Sequence, residues 1–100
     1  MPKYVLPPMH PGEVLLEEFL EPYGLSAYRV AELCGIPRTR IERITRGDVG
    51  ISADTALRLA KLFNTTPQFW LNLQNMFDVE TKAAEIGREL DRIHEIEHAA

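Results

Sequence analysis

Cysteine is nearly missing from this chain: Cys34 stands alone among 100 residues. One thiol closes no internal disulfide, and such usage suits a reducing compartment. Long apolar runs are missing as well. The hydrophobic residues fall in short clusters, none near the ~20 in succession that a membrane-spanning helix needs. The segment from Met1 to Pro8 holds one basic residue, Lys3, and too short an apolar stretch for a signal-peptide core. Repeats, low-complexity tracts, a glycine-rich phosphate loop and a nucleophile elbow are absent, and strand signals are few. The expectation is a single cytoplasmic, all-α, non-enzymatic domain with no cofactor, no membrane and no small-molecule substrate. The hydrophobic content of 45% is enough to build its core.

A net charge of −4 argues at first against nucleic acid, but its distribution reverses the argument. Residues 26–62 carry seven basic groups against four acids, whereas residues 1–25 hold Lys3 against four glutamates and residues 63–100 hold three bases against seven acids. A basic middle between acidic ends suggests one surface for phosphate and another for a basic partner.

Breakers divide the sequence into helical blocks. Pro11 suits a first helical turn, Val14, Leu15, Phe19 and Leu20 form one face, and Pro22 with Gly24 is expected to stop that helix. Ser26 caps a second helix with Tyr28, Val30, Ala31 and Cys34 buried or bordering, and a third runs from about Pro37 to Gly47. Ser52 caps a fourth, stapled by Ile51 against Ala56, with Leu57, Leu59, Ala60 and Phe63 on its face. Thr66 and Pro67 open a fifth, which carries Phe69, Trp70, Leu73 and Phe77. From Val79 on, apolar residues recur at Ala83, Ile86, Leu90 and Ile93, a narrow stripe like a coiled-coil seam. Five to six helices result, divided as an arm (1–10), a DNA-binding domain (11–78) and a C-terminal helical extension (79–100).

Ala27 to Arg46 matches the twenty-residue helix-turn-helix pattern. Ala31 is small where the helices cross, Gly35 supplies a left-handed turn, and Val30, Cys34, Ile36, Ile41 and Ile44 fill the five apolar positions. With Ile41 and Ile44 inward, Arg38, Thr39, Glu42, Arg43 and Arg46 line the outer face. Approaching the major groove by its N-terminus, this helix brings Arg38, Thr39 and Arg43 to base edges. Arg40 and Arg46, toward the flanks, meet phosphates, and Glu42 accepts from a cytosine amine or orients a neighbouring arginine.

The chain resembles the HigA-type antitoxins of HigB/HigA toxin–antitoxin modules, regulators with a lambda-repressor-like, xenobiotic-response-element-like fold. Three stretches carry the resemblance beyond the hairpin: Met9-His-Pro-Gly-Glu-Val-Leu-Leu-Glu-Glu-Phe-Leu-Glu-Pro22, Ile51-Ser-Ala-Asp-Thr-Ala-Leu-Arg-Leu-Ala60 and Thr66-Pro-Gln-Phe-Trp-Leu-Asn-Leu-Gln74. It implies a homodimer that represses its own promoter by binding double-stranded operator DNA. It also implies a tight complex with a RelE-like mRNA-endonuclease toxin, to which the acidic ends are suited. Related phage repressors often carry glutamine where Ala27 stands, so a phosphate contact there passes to Ser26 or Tyr28. Residues after Val79 lie outside the recognisable pattern. A stand-alone repressor without a toxin and an interaction-only module remain open as rival readings.

Other chemistry is weaker. His94 and His98 are four apart with no third metal ligand near, His10 before Pro11 reads as a helix cap, and Cys34 reads as a buried thiol. Phe69 and Trp70 are adjacent on one helix and cannot both point inward, so Phe69, Trp70 and Leu73 are expected at a dimer contact. The stripe from Ala83 to Ile93 competes with them for that role.

Overall fold

The computed structural model describes residues 8–97. Within them the chain forms six helices. The first, α1, passes from Pro11–Val14 through a π segment, Leu15–Leu20, to a closing turn at Glu21–Tyr23. His10 caps it, its Nδ1 accepting from the Gly12 N–H at 2.9 Å, which is the cap role read from the sequence. Proline at position 22 has no N–H to return to the preceding turn. The helix widens just before it, with the Glu21 N–H reaching the Leu16 carbonyl, and so passes through Pro22 instead of stopping there. Gly24, at φ 65°, is where it ends.

Helices α2 (Ala27–Cys34), α3 (Arg38–Thr45), α4 (Ala53–Phe63), α5 (Pro67–Glu85) and α6 (Gly87–Asp91) follow. Three start on a side-chain cap. The hydroxyls of Ser26, Ser52 and Thr66 accept from the N–H groups of Arg29, Thr55 and Phe69 at 3.0, 3.2 and 3.1 Å. The first four helices end alike, with a left-handed residue and an N–H reaching back five positions. The pairs are Leu25 to Leu20, Ile36 to Ala31, Asp48 to Arg43 and Thr65 to Ala60. These ends are specified locally, which is why those at Gly24, Gly35 and Gly47 were legible in the sequence; the end at Asn64 was not read from it.

The core gathers Leu15, Leu20, Val30, Ala31, Ile41, Ile44, Ile51, Ala56, Leu59, Ala60 and Trp70. Helix α2 packs on α3, α4 on α5 and on α2, and α1 closes the core against α3 and α5. Trp70 is fully buried, its Nε1 donating to Thr65 Oγ1 at 2.8 Å and Phe19 tilted against its ring at 4.9 Å. Leu57, expected on an inner face, points outward instead, 59% exposed, and Tyr28, expected to be buried or bordering, is a bordering residue, 56% exposed. Each lies at the border of its helix's apolar arc, where periodicity does not separate core from rim. Cys34 is half-buried, not enclosed. Desolvation pushes its thiol pKa up, against the opposing pull of the Arg58 charge.

Gly12 marks the tightest approach in the fold. A Cβ on it would lie 1.8 Å from the Ile44 carbonyl oxygen, which belongs to backbone and cannot swing aside. Glycine here lets the start of α1 lie directly on the end of α3, holding α3 from behind. Gly12→Ala is therefore expected to destabilise the fold by about 1–3 kcal/mol, lowering the melting temperature by roughly 4–24 °C. Gly87→Ala, where an added Cβ meets nothing within 4 Å, is the control and should not lower it. Equal melting curves for the two variants would refute the close-contact account.

Beyond the core, α5 continues unbroken past the expected boundary at residues 78–79 to Glu85. The chain breaks helix geometry only at Ile86, φ −111° and ψ 20°. The apolar stripe thus begins on α5 and ends on α6 at Leu90, because Ile93 lies after the last helix. This projection accounts for a longest dimension of 55 Å against 32 and 22 Å. Among the described residues, no helix is long and apolar enough to cross a membrane, and no cluster of side chains suits a metal ion. His98, half of the histidine pair weighed above, lies outside the described residues.

Candidate nucleic-acid interface

The α2–α3 hairpin is built from inside outward. Val30 and Ala31 of α2 and Ile41 and Ile44 of α3 are buried to 1% exposure or less, with Cys34 and Ile36 partly buried beside them. Gly35 joins the helices at φ 70° and ψ 36°, a backbone conformation that disfavours any residue with a side chain. The apolar positions of the motif therefore pack as their spacing implied, with Cys34 and Ile36 at the rim of the core. The Ile36 N–H closes α2 on the Ala31 carbonyl, so the turn leaves the chain positioned to start α3 at once.

Helix α3 differs from α2, α4 and α5 at its start. Pro37 stands at its N-cap and no side chain caps it. The Arg40 N–H returns to the Pro37 carbonyl at 3.0 Å, while the N–H groups of Arg38 and Thr39 face solvent or an anion, and the helix dipole adds partial positive charge there. With two isoleucines inward, the opposite face is polar. Arg38, Thr39, Arg43 and Arg46 are exposed, while Glu42 and Arg40 are partly covered. Ser26 and Tyr28, at the start of α2, are exposed as well.

Carboxylates hold several of these arginines. Arg38 Nε lies 3.6 Å from Glu42 Oε1 one turn on, and Arg46 Nε lies 3.2 Å from Asp48. Arg40 Nη1 donates to Asp54 Oδ2 at 2.7 Å, across fourteen positions of sequence. Arg43 is exposed and, among the described residues, has no carboxylate partner. Exposed ion pairs contribute only about 0–1 kcal/mol, so a phosphate or base can displace the carboxylates beside Arg38 and Arg46.

Asp54 and Arg58 were not singled out from the sequence, although their i,i+4 spacing on α4 was visible. Arg58 Nε donates to the same Asp54 oxygen at 2.9 Å, and its Nη1 donates to the Cys34 carbonyl at 2.7 Å. The hydrogen bonds from Arg58 and then from Arg40 hold the Asp54 carboxyl below the usual carboxylate range. Gln74 is a second unforeseen tie. Its Oε1 accepts from the Ile51 N–H at 2.7 Å, anchoring the α3–α4 loop to α5.

The residues expected at a dimer contact separate. Trp70 is a core residue with no surface to offer a partner, because Phe19 and Thr65 enclose its ring and its N–H. Phe69, 37% exposed and edge-on to Trp70 at 5.0 Å, and Leu73, partly buried, keep some surface. Further along α5, Met76 is 59% and Val79 66% exposed, and Val79, Ala83, Ile86 and Leu90 line a shallow apolar surface on α5 and α6.

Comparison with known proteins agrees with this geometry. The helix-turn-helix family HTH_3 matches residues 16–70. Virulence-associated protein I of Dichelobacter nodosus is 46% identical over 78 residues, covering 78% of this chain and 72% of that protein. Antitoxin HigA-1 of Vibrio cholerae is 39% identical over 72 residues, 72% of this chain and 68% of its own. The structure of Pseudomonas aeruginosa antitoxin HigA with the higBA promoter superposes with a TM-score of 0.87 at 36% identity, covering 90% of this chain and 99% of that one.

Proposed function

We propose a function for this chain, which belongs to the helix-turn-helix family HTH_3 and, within it, to the HigA antitoxins: it is a dimeric autorepressor that also neutralises a toxin. One observation carries the DNA-binding half. An uncapped α3, braced from behind by Ile41, Ile44 and Gly12, presents Arg38, Thr39 and Arg43 on one exposed face. In the major groove these three read base edges, an arginine bridging guanine O6 and N7 and the Thr39 methyl meeting a thymine. Arg40 and Arg46 hold phosphates from either side, joined by Ser26 and Tyr28 at the start of α2.

Two protomers related by a two-fold axis place their α3 helices in major grooves about 34–36 Å apart, or a multiple of that, on a palindromic operator. Phe69 and Leu73 contribute to the seam, and the stripe from Met76 to Leu90 supplies most of its apolar area. The toxin partner is RelE-like and basic, and the acidic ends of the chain complement it. Repression and neutralisation both proceed by binding, so the chain needs no catalytic group. Its operator places its work in the cytoplasm.

Arg43 is the most direct test. Arg43→Ala should weaken operator affinity at least about tenfold, since a dimer loses two base contacts worth about 1–3 kcal/mol each, with the circular dichroism spectrum unchanged. Among the described residues its side chain has no carboxylate partner, so its removal breaks no ion pair there. Unchanged affinity would take Arg43 out of the reading set.

A further inference from the structure

We propose that Asp54 is a positioning residue for DNA recognition, holding Arg40 in one orientation at the edge of α3 and so raising discrimination between operator and arbitrary DNA. The inference rests on the DNA-binding function just argued.

The geometry is a relay across three helices. The carbonyl of Cys34 ends α2, and helix ends leave such carbonyls without an intrahelical partner. Arg58 of α4 donates to it at 2.7 Å and to Asp54 Oδ2 at 2.9 Å. The same Asp54 oxygen accepts from Arg40 of α3 at 2.7 Å. Both arginines thus converge on one atom, which stands in the first turn of α4, where the helix dipole favours a carboxylate. The Asp54 side chain remains 53% exposed. Exposed ion pairs add little to stability, so the arrangement is better explained by what it does to Arg40.

Two consequences follow from a carboxylate in this place. Arg40 binds Asp54 through one of its five N–H donors, and the rest stay available to a phosphate from a fixed guanidinium plane. A free arginine would follow any phosphate it met; a clamped one meets only a backbone in the operator's register. Asp54 also brings negative charge to the rim of the interface, which weakens attachment to DNA of any sequence. Orientation acts on the operator complex and repulsion on every complex, so together they widen the ratio between the two affinities.

Binding titrations separate these effects. The unmutated protein, Asp54→Ala, Arg40→Ala and the double variant are each titrated with a duplex spanning the promoter of the protein's own operon and with a scrambled duplex, at one salt concentration. Asp54→Ala should bind the scrambled duplex severalfold more tightly and the promoter duplex about tenfold more weakly. In the Arg40→Ala background the same change should no longer weaken promoter binding, since no guanidinium remains to be oriented. A merely structural defect would lower both affinities together. Equal tightening on both duplexes would make Asp54 a simple counter-charge, and additive losses in the double variant would break the link to Arg40; either overturns the proposal. An unmutated protein that does not prefer the promoter duplex overturns the repressor function itself, a failure visible before any variant is compared.

Discussion

Trp70→Ala is expected to remove about 3–5 kcal/mol of folding stability, the range for deleting a fully buried large aromatic. The ring sits where α1, α4 and α5 meet, against Phe19 at 4.9 Å and Phe63 at 6.4 Å, and its N–H is satisfied by Thr65. Truncation leaves a cavity among rigid neighbours and a Thr65 hydroxyl without its donor. Domains of this size are stable by about 5–15 kcal/mol, so the variant will be marginal. Denaturant unfolding followed by circular dichroism measures the loss, at fixed protomer concentration because dimerisation is linked to folding. Phe69→Ala is the comparison, and its cost should be much smaller because that ring keeps 37% of its surface in solvent. The test also decides between core and seam. Loss of a core residue lowers stability at every protomer concentration, whereas loss of a seam residue acts mainly through dissociation. A Trp70→Ala protein that folds normally and only fails to dimerise would return Trp70 to the interface.

Raising salt from 50 to 200 mM is expected to weaken operator binding about a hundredfold. Arg40 and Arg46 from both protomers make four phosphate contacts, each adding about −0.9 to the slope of log affinity against log salt. The resulting slope is about −3.6, which over a fourfold change in salt gives that loss. Arg46→Ala should flatten the slope by about 1.8 in a dimer. Arg43→Ala, which removes a base contact, should lower affinity and move the slope less. Arg46 is the cleaner probe of the two phosphate positions, since its pairing with Asp48 at 3.2 Å is exposed and yields readily. A flat titration would contradict an electrostatic interface, whatever the sequence preference.

Much of the scaffold was readable in advance because its signals are local. A cap hydroxyl bonds an N–H three residues on, and a left-handed residue closes its own helix, so Ser26, Ser52, Thr66 and Gly35 mark boundaries without reference to the rest of the chain. The inward pair Ile41 and Ile44 follows from helical period alone, and the outward arginines follow from it in turn. Tyr28 and Leu57 show the limit of that method. A period tells which residues share a face but not how wide a face the neighbouring helix covers, and both residues lie where that cover stops.

The candidate site divides in the same way. Arg38, Thr39, Arg43 and Arg46 were legible because they occupy one helix with a known inner face. Asp54 was not, because its partner is fourteen positions away and their meeting depends on the angle between α3 and α4. Gly12 passed as part of a resemblance, and only the packing of α1 on Ile44 gives it a physical reason.

By itself the sequence determined an all-helical chain, a helix-turn-helix from Ala27 to Arg46 and an arginine-bearing face, since each rests on contacts within about four residues. The tertiary structure alone decided that Trp70 belongs to the core, that α5 runs on to Glu85, and that Arg40 is held by Asp54. Those outcomes depend on how much surface one helix covers on another and where distant side chains meet, and no local spacing encodes either.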